Sequence, residues 1–237
     1  MAALAAGVAT SMAQNVYSLN IVGYANVQCD SGFHAYSNPF NTGTNGANEL
    51  FDNSTGQWND SLIEEWNGVG YNITAFSDNT AVTTTGFANQ NGDQQKPVPI
   101  LGGGKGWLFN KAGSSNNIVF VGTVRTGTNT VPLAGPQYQA LGSPLPYAGP
   151  ITSLGFTNTG GSLNDSLFLR LKTTTPTGGS PNGYDVTAWS DNTAVTTTGF
   201  ANLNGDQQKP EPQVAIAQGF LFLKAGSPGN WVQILNP

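Results

Sequence analysis

The sequence predicts an all-β protein built as two tandem antiparallel β-sandwich-like domains from an internal duplication. Three observations predict it: short apolar runs punctuated by Gly, Asn and Pro, a segment that recurs almost unchanged at a fixed offset, and a neutral, hydrogen-bonding composition. Of 237 residues 38% are hydrophobic and 9% are charged, where globular chains carry about 25% charged residues. Gly, Asn, Thr and Ser fill the gap.

The strand signals run the length of the chain. Tyr17, Leu19 and Ile21 alternate with Ser18 and Asn20, the period of a half-buried strand. Residues 33–40, 62–66, 71–76, 106–109 and 118–121 are short runs rich in aromatic or β-branched residues. Turn-forming clusters separate them, as strands require. Beyond the Ala-rich start, no stretch holds a helical period free of Gly or Pro.

Sliding the chain on itself by 113 positions lays 77–97 (SDNTAVTTTGFANQNGDQQKP) on 190–210, with Gln90 against Leu203 the one mismatch. The same shift sets Gly70-Tyr71 on Gly183-Tyr184 and Lys111-Ala112-Gly113-Ser114 on Lys224-Ala225-Gly226-Ser227. Earlier in the repeat the shift is 105, so Asn59-Asp60-Ser61-Leu62 meets Asn164-Asp165-Ser166-Leu167. An insertion around 173–180 accounts for the difference. Two copies make a tandem of domains and not a solenoid, which needs three or more units. The expected division is 14–122 and 118–237, with strand 118–122 shared. Residues 20–23 (NIVG) resemble 117–122 (NIVFVG), which also align with the end of the second repeat. Three related strands for two repeats leave the N-terminal one either closing the first domain or spare to pair with a neighbouring subunit. In the second case Tyr17, Leu19 and Ile21 form an assembly face, and deleting 14–27 costs self-association more than folding.

Residues 1–13 (MAALAAGVATSMA) read as the remnant of a secretory signal, with small residues at Ser11 and Ala13 where a peptidase reads. The net charge of −5 and pI near 4.5 supply no basic stripe for nucleic acid. No polybasic cluster or long apolar span points to membrane insertion. The single cysteine, Cys29, rules out an intrachain disulfide.

The combination of Trp66-Asn67-Gly68-Val69-Gly70-Tyr71, Gly104-Lys105-Gly106-Trp107 and Val119-Phe120-Val121-Gly122, with residues 16–24 (VYSLNIVGY) ahead of it, resembles secreted tandem-repeat β-proteins common in Verrucomicrobia and Planctomycetes. The resemblance covers most of the chain and implies export and β-structure. It carries no catalytic residues and no defined function.

Candidate chemistry is sparse. Cys29 and His34 are the only residues of their types, and a nucleophile pair needs them in hydrogen-bond contact with a third group to orient the base. Glu64 and Glu65 are adjacent, so on a strand they face opposite ways and cannot flank one glycosidic bond. Each Trp aligns with another apolar residue in the opposite repeat (Trp58 with Leu163, Trp66 with Leu171, Trp107 with Phe220, Trp189 with Phe76, Trp231 with Ile118), the substitution pattern of a core. No enzyme is expected. The preserved segment offers one metal hypothesis: Asp78, Asn89, Asn91 and Asp93, repeated as Asp191, Asn202, Asn204 and Asp206, carry oxygens suited to calcium. Such Asx clusters also simply make turns, and no other cofactor is expected. The reading that follows is a secreted structural subunit of a fibre, sheath or surface layer. It self-associates as a homo-oligomer or polymer through β-strand and polar-loop contacts, with glycans as further partners. The alternative is a secreted carbohydrate- or surface-ligand-binding module.

Overall fold

The computed structural model describes residues 21–51, 55–77, 86–90, 94–157, 162–172, 183–190, 199–203, 207–208 and 210–236. In the first half β1 is Val22–Cys29, β2 Gly32–Ser37, β3 Phe40–Asn41, β4 Leu62–Trp66, β5 Tyr71–Ser77, β6 Gly86–Gln90, β7 Gln94–Gln95, β8 Gly106–Lys111 and β9 Asn116–Val124. A single helical turn, α1 (Ala47–Leu50), follows β3. In the second half β10 is Gly127–Leu133, β11 Gln137–Gly142, β12 Gly149–Pro150, β13 Leu167–Leu171, β14 Tyr184–Ser190, β15 Gly199–Leu203, β16 Gln207–Gln208, β17 Gln213–Val214, β18 Gly219–Lys224 and β19 Gly229–Leu235. A 3-10 turn at Ile151–Leu154 holds the place of α1. The protein is all-β, as its alternating runs predict.

Each half has a six-stranded antiparallel sheet, β2-β8-β4-β5-β6-β7 in the first and β11-β18-β13-β14-β15-β16 in the second. The orders coincide when strands are matched by the offsets found in sequence. Even the irregularities match: the register shifts between Ala75 and Phe76, and again between Ala188 and Trp189. A smaller sheet lies over each, β1-β9-β3 in the first half and β10-β19 in the second. Alternation fills the space between the layers. Ala25 and Cys29 from β1 and Ile118 and Phe120 from β9 join Tyr36, Ile63, Phe76, Trp107 and Phe109 in one core. Val131, Leu133 and Trp231 join Phe168, Trp189, Phe220 and Phe222 in the other. Full burial of such a side chain stabilises by roughly 1.5–3 kcal/mol. Trp107 and Phe220, matched on the central strands, are 1% and 3% exposed. Phe51 stacks on Phe109 with centroids 5.0 Å apart, and Phe156 stacks on Phe222 at 5.2 Å.

Two expectations need correction. Strand 118–122 is not shared, because among the described residues β9 pairs with β1 and β3, whereas β19 pairs with β10. The second half supplies its own first strand, Gly127–Leu133, immediately after β9. Its sequence GTNTVPL is too polar to resemble VGYANVQC, although the burial alternation is the same. Nor is the N-terminal strand spare from Ile21 onward. The Ile21 carbonyl accepts from Val124 N at 2.7 Å, its side chain packs on the first core, and β1 ladders along β9 from Val22↔Thr123 to Cys29↔Asn116. Tyr17 and Leu19 lie outside the described residues, as do 1–13.

The halves meet about a local two-fold relation. Tyr36 bridges to Gln218, and their counterparts Leu141 and Lys105 bridge in the same way. Ser37 N donates to Ala217 O at 2.8 Å and Gly142 N to Gly104 O at 3.3 Å. Tyr71 and Tyr184, equivalent residues on β5 and β14, lie close enough for the Tyr184 phenol to raise the pKa of Tyr71, second to the effect of burial.

Candidate functional site

Two surfaces stand out. The first is the outer face of each small sheet. Alternation sends Ala25 and Cys29 inward, so Val22, Tyr24, Asn26 and Gln28 point outward on β1. Tyr24 lies opposite Val121 and Asn26 opposite Val119 on β9, and the two valines are themselves exposed. The second half repeats the pattern: Val232 and Ile234 face outward on β19, opposite Thr130 and Thr128. Neither β1, β9, β10 nor β19 contains an Asp, Glu, Lys or Arg. Among the described residues β1 and β10 end their sheets. An uncharged sheet edge is a template for pairing with another chain, which soluble proteins ordinarily block with charge.

The second surface is the seam between the halves. A cavity of about 200 Å³ opens there between β1, β2, the end of β13 and residues 215–218. His34 and Tyr36 form part of its wall, their rings stacked 5.7 Å apart at 16°. The His34 Nε2 is 2.8 Å from the Asp30 carbonyl. Burial holds the imidazole below its ordinary value, so it is neutral near pH 7.

The structure places the other sequence candidates as follows. Asp78, Asn91, Asp93, Asp191, Asn204 and Asp206 lie outside the described residues. Asn89 pairs along the backbone with Ala75 and Gln95, and Asn202 with Ala188 and Gln208. Among the described residues no three His, Cys, Asp or Glu side chains come together. Cys29 is wholly buried, and desolvation pushes its thiol up to about 11, against a weaker lowering by the hydrogen bond to Tyr36. That is opposite to what a nucleophilic thiolate requires. Glu65 pairs with Lys105, while Glu64 is raised by burial alone. The two pair across the strand with Asn72 and Ile73 respectively.

Four tryptophans, at 58, 107, 189 and 231, are core residues. Trp66 departs from the core assignment. It is half-buried at the end of β4, edge-on to Tyr71 at 5.1 Å, and its Nε1 donates to the Tyr138 carbonyl of the other half at 2.8 Å. The signal was present in the internal alignment, where Trp66 stands against Leu171. Sequence reasoning also passed over Lys111 and Lys224, both buried. The Lys224 amine donates to the Ala225 carbonyl at 2.8 Å and to that of Ser162, and Lys111 donates to Ala112 O. These buried amines hold the turns after the central strands, and the recurring Lys-Ala-Gly-Ser was their visible trace.

Compared with known proteins, the chain matches no family model, no curated protein and no solved structure.

Proposed function

We propose that this chain is a structural subunit of an extracellular assembly and associates with copies of itself through the outer faces and edges of its small sheets. The observation that carries the reading is the lack of charge across β1, β9, β10 and β19, where Tyr24, Val121 and Ile234 stand exposed. Contiguous exposed apolar surface marks interaction sites, and an uncharged edge adds backbone hydrogen bonds to the apolar contact. Two such faces in one chain, one per half, give each subunit two neighbours and so a polymer instead of a closed pair. The signal-like start of the sequence supports export.

The test is sedimentation velocity and negative-stain microscopy of the purified protein beside Tyr24→Lys and Ile234→Lys. Those side chains are 64% and 60% exposed, so folding tolerates the change while a lysine in the contact opposes association. The wild type is expected to form extended particles, either single variant to stop at small oligomers, and the double variant to remain monomeric. A wild type that stays monomeric at high concentration would sink the proposal.

A further inference from the structure

Trp66 and Leu171 end equivalent strands, β4 and β13, on opposite sides of the seam between the halves. On its side, Trp66 lays an indole across the junction and donates its ring N–H to Tyr138 O. On the other side Leu171 is too short to do so, and the cavity of about 200 Å³ opens there. We propose that this cavity binds a small neutral aromatic molecule with a ring N–H, of the indole class, in the position that Trp66 takes on its own side.

The local two-fold relation supplies the template. Matched contacts at Tyr36–Gln218 and Leu141–Lys105 put the two sides in equivalent frames, so the surroundings of the Trp66 indole predict those of a ligand beside Leu171. By the 105-residue offset the counterpart of the Tyr138 carbonyl is that of Phe33 on the edge strand β2, next to His34 of the cavity wall, and in this proposal it is the acceptor for the ligand's N–H. Where Trp66 has Gly102 and Gly103 in the equivalent stretch, the cavity has Ala215 and Ile216, which add apolar contact along the ring edge. The stacked rings of His34 and Tyr36 provide an aromatic wall, and offset or edge-on ring pairs add attraction beyond area burial. The polar lining is Gln28 and Gln218 with His34, and among the described residues no acid, lysine or arginine borders the cavity. That selects a neutral ligand over an ionised one. The cavity's size limits it to one fused or single ring with small substituents. None of Tyr24, Val121 or Ile234 lines it, so binding and self-association are separable.

Indole itself is the probe, titrated into the full-length protein by calorimetry and by ligand-observed NMR. The wild type is expected to take one indole per chain with a dissociation constant of about 1 mM or tighter, as a ligand of so few atoms allows. Leu171→Trp fills the cavity from within and should weaken binding by at least about tenfold, with an unchanged fold by circular dichroism. Trp66→Leu vacates the equivalent place and should raise the stoichiometry to two. It alters a half-buried residue, and it keeps the test decisive if Leu171→Trp fails to fold. No saturable binding to the wild type, undiminished binding to folded Leu171→Trp, or a single site in Trp66→Leu would each overturn the proposal.

Discussion

Gly219 lies so close to Tyr36 that a Cβ on the glycine would sit 2.3 Å from the tyrosine carbonyl oxygen. The two-fold counterpart repeats it: a Cβ on Gly106 would sit 2.3 Å from the Leu141 carbonyl oxygen. Both obstacles are backbone, so neither can swing aside. Gly106→Ala and Gly219→Ala are therefore expected to pry the halves apart locally, each costing about 1–3 kcal/mol, the usual range for overpacking. Thermal melts of the two variants check this. Equal losses are expected because the contacts are equivalent, and an unchanged melting temperature in either would contradict the seam.

Ala217 presents the opposite case. Its φ is 61°, and its counterpart Gly104 has φ 84°. An L-residue in the left-handed region carries a cost of roughly 1–2 kcal/mol, part of which glycine returns through its greater freedom in the unfolded chain. The Ala217 methyl is also buried in the first core, and removing it costs about 0.8 kcal/mol. Ala217→Gly should therefore shift stability by less than about 0.5 kcal/mol, read as a nearly unchanged midpoint in urea with an unchanged slope.

The sheets were legible because their strands alternate over runs such as 62–66 and 71–76, where period and punctuation agree. The matching of Trp107 with Phe220 was legible because the 113-residue offset that lays 77–97 on 190–210 carries on to these two positions. β10 was not, since Gly127–Leu133 is half polar and contains Pro132, and only its pairing with β19 makes it a strand. The one-turn α1 is too short to show a period; the bond from Ala47 N to Pro99 O at 2.9 Å anchors its start. The seam was hidden for a different reason. It joins residues such as Ser37 and Ala217 that lie far apart in sequence, and it depends on backbone approach, which leaves only an ordinary-looking glycine as its mark.

Alkaline pH should destabilise the first half. The Cys29 thiol is raised from 9.0 to about 11, chiefly by burial, and burial likewise raises Tyr36. In the unfolded chain both groups release protons at lower pH than in the folded one. Stability is thus fully present below about pH 9 and falls as pH rises toward the folded values, by on the order of 1 kcal/mol per pH unit per group. Lys111, lowered by desolvation, acts in the opposite sense, so the informative measurement is a difference. Urea melts between pH 8 and 11 should fall less steeply for Cys29→Ala than for the wild type. Because the thiol is wholly buried, Cys29→Ser is expected to leave self-association unchanged, checked on non-reducing gels and by sedimentation.

Truncation separates the two roles once open to the N-terminal strand. Deleting residues 1–29 removes β1, and with it an eight-residue ladder along β9 and the core contacts of Ala25, Val27 and Cys29. Ile118 and Phe120, each 0% exposed, would then face a gap. Exposing Ile118 and Phe120 at roughly 1.5–3 kcal/mol each, together with the lost ladder, approaches the margin of a small domain, so the first half should unfold. The second half builds its core from its own residues, and protection of its amides should persist in hydrogen exchange. Deleting residues 1–20 leaves the ladder from Val22↔Thr123 whole, together with the Ile21 contact to Val124. That shorter deletion should shift the melt by less than about 1 kcal/mol. Sedimentation of the 1–20 deletion then asks about Tyr17 and Leu19 alone: full assembly assigns the contact to the outer faces around Tyr24 and Ile234, and its loss assigns it to the segment ahead of β1. A first half that stays folded without β1 would refute the closing role of that strand.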